Sequence, residues 1–181
     1  MNKKGFTLIE ILAVIVIIGI IGVIGISAIS SSTNKSRKAS FATLAKTYAE
    51  SARSMRAKDD LPHDPKDGEV VLLRVDSLNG TDKNYDFTTE FGDVLLNYSY
   101  VAVVNNNHNF KYYVTLIDDS HHAIIDREYS ELNESLVVAS INLRNVLNLR
   151  SLANGTTFSI NETTYKVTSV HNTYIVASKN V

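Results

Sequence analysis

From Ile11 to Asn34 the chain carries no charged side chain, a run of 24 residues that begins just after Glu10 and ends at Lys35. At about 1.5 Å per residue such a run makes a helix of roughly 36 Å, enough to cross a hydrocarbon core of about 30 Å. It reads as one membrane-type helix, and residues 35–181 then make one ordinary domain, too short for two large ones. A cleaved secretory signal is the competing reading, because Ala28-Ile29-Ser30 resembles a cleavage site. Two features oppose it: the run exceeds a signal core of about 7–15 residues, and a carboxylate stands at its start. Lys3 and Lys4 on one side face Lys35, Arg37 and Lys38 on the other, so flanking charge does not orient the segment.

Glu10 is the informative residue. A carboxylate at the centre of an apolar helix costs about 2.5–3.5 kcal/mol on insertion scales, less near an end, and is normally paired or functional. No cation lies within one turn inside the run. Either Glu10 reaches headgroup water while Lys3 and Lys4 screen it, or it needs a partner that the sequence does not contain.

The segment Lys3-Lys4-Gly5-Phe6-Thr7-Leu8-Ile9-Glu10, followed by a long Ile/Val/Leu/Ala/Gly run, resembles the type IV pilins and their relatives in type II secretion and DNA-uptake filaments. The short leader followed by Phe resembles the type IVa branch. The resemblance covers about 30 of the 181 residues. It implies a pilin fold and a leader, residues 1–5, whose charge is Lys3 and Lys4. It implies cleavage by a prepilin peptidase between Gly5 and Phe6, and N-methylation of Phe6. It likewise implies that Glu10 pairs with the α-amino group of a neighbouring subunit's Phe6 during assembly. An α-amine with an ordinary pKa near 8 stays largely cationic, and a methyl group keeps the charge. Many pilins have a proline in the apolar run, whereas the prolines here are Pro62 and Pro65. Gly19, Gly22 and Gly25 can soften the helix instead, each costing about 1 kcal/mol relative to Ala, or form a small-residue seam for close helix packing.

Beyond Lys35 the helical period continues, with Phe41, Leu44, Tyr48, Ala52 and Met55 on one face, widened by Ala42, Ala45 and Ala49. This predicts a helix from Thr7 to Lys58, with its apolar half at 6–34 and an amphipathic half at 35–58. Pro62 disfavours helix in the residue before it and sets the end near Asp59. Residues 59–93, polar but for Val70-Val71-Leu72-Leu73, read as a connecting loop region. Residues 94–181 are β-rich, with strands expected at Leu95–Val104, Phe110–Ile117, Ala123–Asp126, Thr157–Ile160, Tyr165–Val170 and Tyr174–Ala177. A second, shorter helix is expected near 133–152, ended by Asn154-Gly155. The fold class is therefore α+β: a long N-terminal helix packed on a C-terminal antiparallel sheet.

Chemistry-bearing patterns are sparse. No cysteine is present, which removes disulfides and thiolate sites. The five histidines fall in or beside expected turns, without a recognised metal spacing. Asp118, Asp119, His121, His122 and Asp126 form the densest ligand cluster, yet adjacent residues of a strand point to opposite faces. There is no G-x-S-x-G and no phosphate-binding glycine loop, so neither an enzyme nor a cofactor is expected. The N-x-[ST] sequons at Asn79, Asn97, Asn133, Asn154 and Asn161 read as polar turns. The 18 Lys and Arg nearly balance the 19 Asp and Glu, so nucleic acid is not among the expected partners.

The expectation is a structural subunit of a type IV pilus serving adhesion, motility or DNA uptake. Its partners would be other copies, other pilins, the prepilin peptidase, the pilus assembly machinery and, before assembly, the inner or cytoplasmic membrane. Afterwards it would stand in an extracellular filament. The alternatives are a pseudopilin of a secretion or competence system and a single-pass anchored binding or enzymatic domain that never polymerises.

Overall fold

The computed structural model describes residues 7–78 and 87–180, without the side chains of residues 23–28. Backbone contacts divide the chain into two compact units that meet at Arg37 and Lys38. The first is supplied by helix α1 (Leu8–Ala57), whose later residues belong to the second. Its described apolar side chains lie open, from 51% exposed at Val16 to 83% at Leu8. Among the described residues no helix is long and apolar enough to cross a membrane. The expected span, 6–34, includes Phe6 and residues 23–28, which fall outside the described residues and side chains.

In the second unit one sheet holds seven antiparallel strands: β1 (Glu69–Arg74), β2 (Tyr100–Asn106), β3 (Asn109–Ile117), β4 (Ala123–Glu128), β5 (Thr157–Ile160), β6 (Thr163–Val170) and β7 (Tyr174–Lys179). Their order is β4-β3-β2-β1-β7-β6-β5. The helical stripe packs on it as expected. Phe41, Ala42, Ala45, Tyr48, Ala49 and Ala52 are buried against Val71, Leu73, Val101, Val103, Val114, Leu116 and Val176. The fold is thus α+β, with a long helix on an antiparallel sheet.

The expected loop region 59–93 is corrected by this arrangement, because it contains the middle strand of the sheet. Val70, Val71, Leu72 and Leu73 form β1, each at most 1% exposed. Val71 pairs with Val103 of β2 and Val176 of β7. Val71 and Leu73 face the helix, while Val70 and Leu72 join a second core with Tyr100, Tyr113, Phe158, Tyr165 and Ile175 on the other face. A strand covered on both sides needs no polar alternation, so it appears as an unbroken apolar run. The sheet curls around that second core: the Asn161 side-chain amide, at the β5–β6 turn, donates to Tyr113 Oη of β3 at 3.1 Å.

Residues 58–68 are held at several points. Asp59 adopts φ +57°; its N–H donates to the Arg56 carbonyl, and the Asp60 N–H donates to that of Met55 at 2.8 Å. This is a Schellman ending with Asp in the place usually held by Gly. The Arg56 guanidinium lies 3.2 Å from the centre of the Phe110 ring and donates to Asp64. Asn105 donates to the Pro65 carbonyl, and the Asn107 N–H to Asp67.

The second helix expected near 133–152 is also corrected. The segment makes three single 3-10 turns, Glu134–Leu136, Leu143–Asn145 and Leu149–Ser151. Each is opened by an asparagine, Asn133, Asn142 or Asn148, whose side-chain oxygen accepts from the N–H two residues on. Asparagine competes in this way with the helical ladder, and three such residues divide what apolar spacing alone presents as one helix. Two hairpin turns are tighter than expected. Asn107-His108 and Asn161-Glu162 each hold two consecutive positive φ angles, the signature of a two-residue hairpin connection whose twist suits the flanking strands.

Candidate functional site

The described start of α1 carries the residue singled out by sequence. Glu10 Oε2 accepts from the Thr7 N–H and from Thr7 Oγ1–H, both at 2.8 Å. The Glu10 N–H in turn faces Thr7 Oγ1 at 3.4 Å. This is a reciprocal capping box, T-x-x-E, which satisfies donors that the first helical turn leaves free and puts a carboxylate where the helix dipole is positive. Thr7 was missed as Glu10's partner in reading the sequence, although the threonine three residues ahead of a glutamate is itself the signal. Its hydroxyl is neutral, so the capping box does not supply a counter-charge.

Of the other sites expected, Lys3, Lys4, Gly5 and Phe6 lie outside the described residues, and Gly25 lies among those whose side chains are not described. Gly19 and Gly22 lie within α1, and a Cβ built at either meets nothing within 4 Å. Both therefore face open space in the isolated chain.

The ligand-rich cluster at 118–126 resolves into structural roles. Asp118 is fully buried; its Oδ1 accepts from the His122 N–H at 2.9 Å and its Oδ2 from Thr89 Oγ1 at 2.9 Å. The His122 ring stacks on Phe91 with centroids 3.8 Å apart. These contacts fasten the 87–94 loop to the β3–β4 turn. Asp126 lies apart from them, accepting from Tyr100 Oη at 2.9 Å and Thr115 Oγ1 at 3.0 Å. Among the described residues no group of three or more His, Asp or Glu side chains is placed to hold a metal ion.

The basic residues of the amphipathic half are partly engaged in packing. The Arg53 guanidinium sits 5.9 Å from the Tyr112 ring centre and 5.1 Å from that of Tyr129, whose hydroxyl donates to Glu50. These contacts place the cation over aromatic faces and tie the helix to β3 and to the turn after β4.

No curated protein and no solved structure matches this chain. A family model described as the prokaryotic N-terminal methylation motif matches residues 1–26, the signal motif found in type IV pilins and pseudopilins.

Proposed function

We propose that this chain is the precursor of a type IV pilus subunit, trimmed after Gly5, methylated on Phe6 and polymerised through the N-terminal part of α1. The observation that carries this reading is the methylation motif over residues 1–26. Two structural features support it. The apolar side chains from Leu8 to Ile21 are exposed in the isolated chain, a surface that water disfavours at about 25 cal/mol per Å² and that either lipid or neighbouring helices would cover. The capping box, meanwhile, uses the Thr7 N–H, which belongs to the Phe6–Thr7 peptide bond and survives cleavage between Gly5 and Phe6. Glu10 would stay fixed at the helix start after the leader is lost, ready to meet the new amine of a neighbouring copy.

Before assembly the subunit would lie in the inner or cytoplasmic membrane, and afterwards in a surface filament. The processing reaction is the work of the peptidase, and the subunit's own role is structural. Mass spectrometry of the polypeptide isolated from its source cells, with electron microscopy of shed material, tests this. The expected result is an N-terminus at methylated Phe6 in long fibres. Methylated Phe6 in short assemblies only would support a pseudopilin instead. A chain that keeps Met1 and stays monomeric in the membrane would overturn the proposal in favour of an anchored display protein.

A further inference from the structure

On the curled face of the sheet, away from α1's contacts, a cavity of about 170 Å³ opens where β1 and β7 meet the last asparagine-capped turn. Its floor is apolar: Leu72, Leu149, Leu152 and Ile175 all belong to the second core. Two cations line it, and they differ in their commitments. Arg74 is held in a double hydrogen bond with Asp76, which neutralises it. Arg150 has no side-chain partner among the described residues and is exposed. Its backbone is nonetheless fixed, because its N–H donates to Asn148 Oδ1 at 3.0 Å and the Leu149 N–H donates to the Asn97 carbonyl at 2.8 Å. Asn97 and Asn172 line the same cavity, and their side-chain amides make no hydrogen bonds among the described residues. His171 and Tyr174 complete the wall, their rings stacked with centroids 4.2 Å apart.

We infer that this cavity binds an acidic saccharide, one sugar ring bearing a single carboxylate. Each element of the wall answers one element of that ligand. A carboxamide offers both donors and an acceptor, as a sugar hydroxyl requires. A stacked aromatic pair presents apolar area to the C–H face of a pyranose. One free guanidinium matches one carboxylate through a charge-assisted, bidentate pair. The volume falls below the roughly 300–1,000 Å³ of sites for drug-sized ligands, so it suits one ring rather than a length of chain. The inference is independent of polymerisation, since every residue it uses lies in the sheet unit.

The test is an NMR titration of the full-length, ¹⁵N-labelled chain in detergent micelles with glucuronate, glucose and inorganic phosphate. Glucuronate should give saturable shifts at the amides of Arg150, Thr173 and Tyr174 at millimolar concentration. Glucose should bind more weakly. Arg150→Ala should weaken glucuronate binding by about tenfold or more, with glucose unaffected. Asn172→Asp, which sets a second negative charge beside the carboxylate and also removes the amide donors, should weaken glucuronate more than glucose and serves if Arg150→Ala misfolds. Lys166→Ala, on an exposed part of β6, should change nothing. Absence of saturable binding, equal affinity for glucose, equal affinity for phosphate, or full affinity in Arg150→Ala and Asn172→Asp would each overturn the assignment.

Discussion

Single residues in strained or buried settings give the sharpest predictions. Burial raises the Asp126 carboxyl above its ordinary 3.8, outweighing the lowering effect of its hydrogen bonds from Tyr100 and Thr115 and of the Arg127 charge. The folded chain therefore holds this proton more tightly than the unfolded one. Its stabilising contribution is complete below the unfolded pKa and is lost as pH rises through the folded one. Asp126→Asn keeps an oxygen acceptor and cannot ionise, so the midpoint of unfolding should shift in the variant's favour on going from acid to neutral pH. Equal pH slopes for the two proteins would refute this. At the β5–β6 turn, Glu162 holds φ +65° and is exposed. Glu162→Gly should raise stability by about 0.5–1 kcal/mol in urea unfolding, because glycine adopts that conformation without a Cβ penalty. A loss of stability would show that the turn depends on the glutamate.

At the scale of elements, β1 decides the sheet. Leu72→Ala removes a side chain 1% exposed from a strand paired on both edges, and should cost about 2–5 kcal/mol, read from denaturant midpoints at unchanged slope. The same strand shows where the sequence was legible and where it was not. The amphipathic half of α1 was plain because a 3.6-residue stripe survives any partner, and most other strands were plain because β-branched and aromatic residues gather there between polar turns, with buried and exposed side chains alternating in β5 and β6. In β1 the periodic signal is absent for a physical reason, burial on both faces, and the surrounding Pro, Gly and Asp residues favoured a loop. Between 133 and 152 the opposite error arose: apolar spacing fitted a helix, while the capping chemistry of Asn133, Asn142 and Asn148 decided for short turns. At the helix start, T-x-x-E carried the signal of a capping box but was missed, because a counter-charge rather than a neutral hydroxyl was sought for Glu10. The cavity beside Arg150 was not legible, because β1, the 171–173 turn and the last 3-10 turn meet only through tertiary pairing.

For the whole molecule, the proposal separates two tasks along one chain, polymerisation near the N-terminus and recognition in the sheet. Glu10→Ala should leave the sheet unit folded, with an unchanged denaturation midpoint and near-normal amide spectra for residues 38–180, while incorporation into filaments falls steeply. Immunoelectron microscopy or sedimentation of shed fibres measures this. Normal fibre yield would remove the assembly role assigned to that carboxylate. Glu10→Gln is the finer probe, since it can retain the contact with Thr7 and loses only the charge; poor assembly in that variant would point to pairing with an amine rather than to capping.

The position of β1 between β2 and β7 also bears on how the protein is made. Synthesis runs from the N-terminus, so a nascent chain that has emerged as far as Glu128 can pair β1 with β2, β2 with β3 and β3 with β4. Its other margin, and the greasy side formed by Val70 and Leu72, must then wait for residues 174–179, which leave the ribosome later. A naked ribbon edge of that kind recruits other chains. A premature stop before Tyr174 should therefore yield insoluble product rather than a smaller working head.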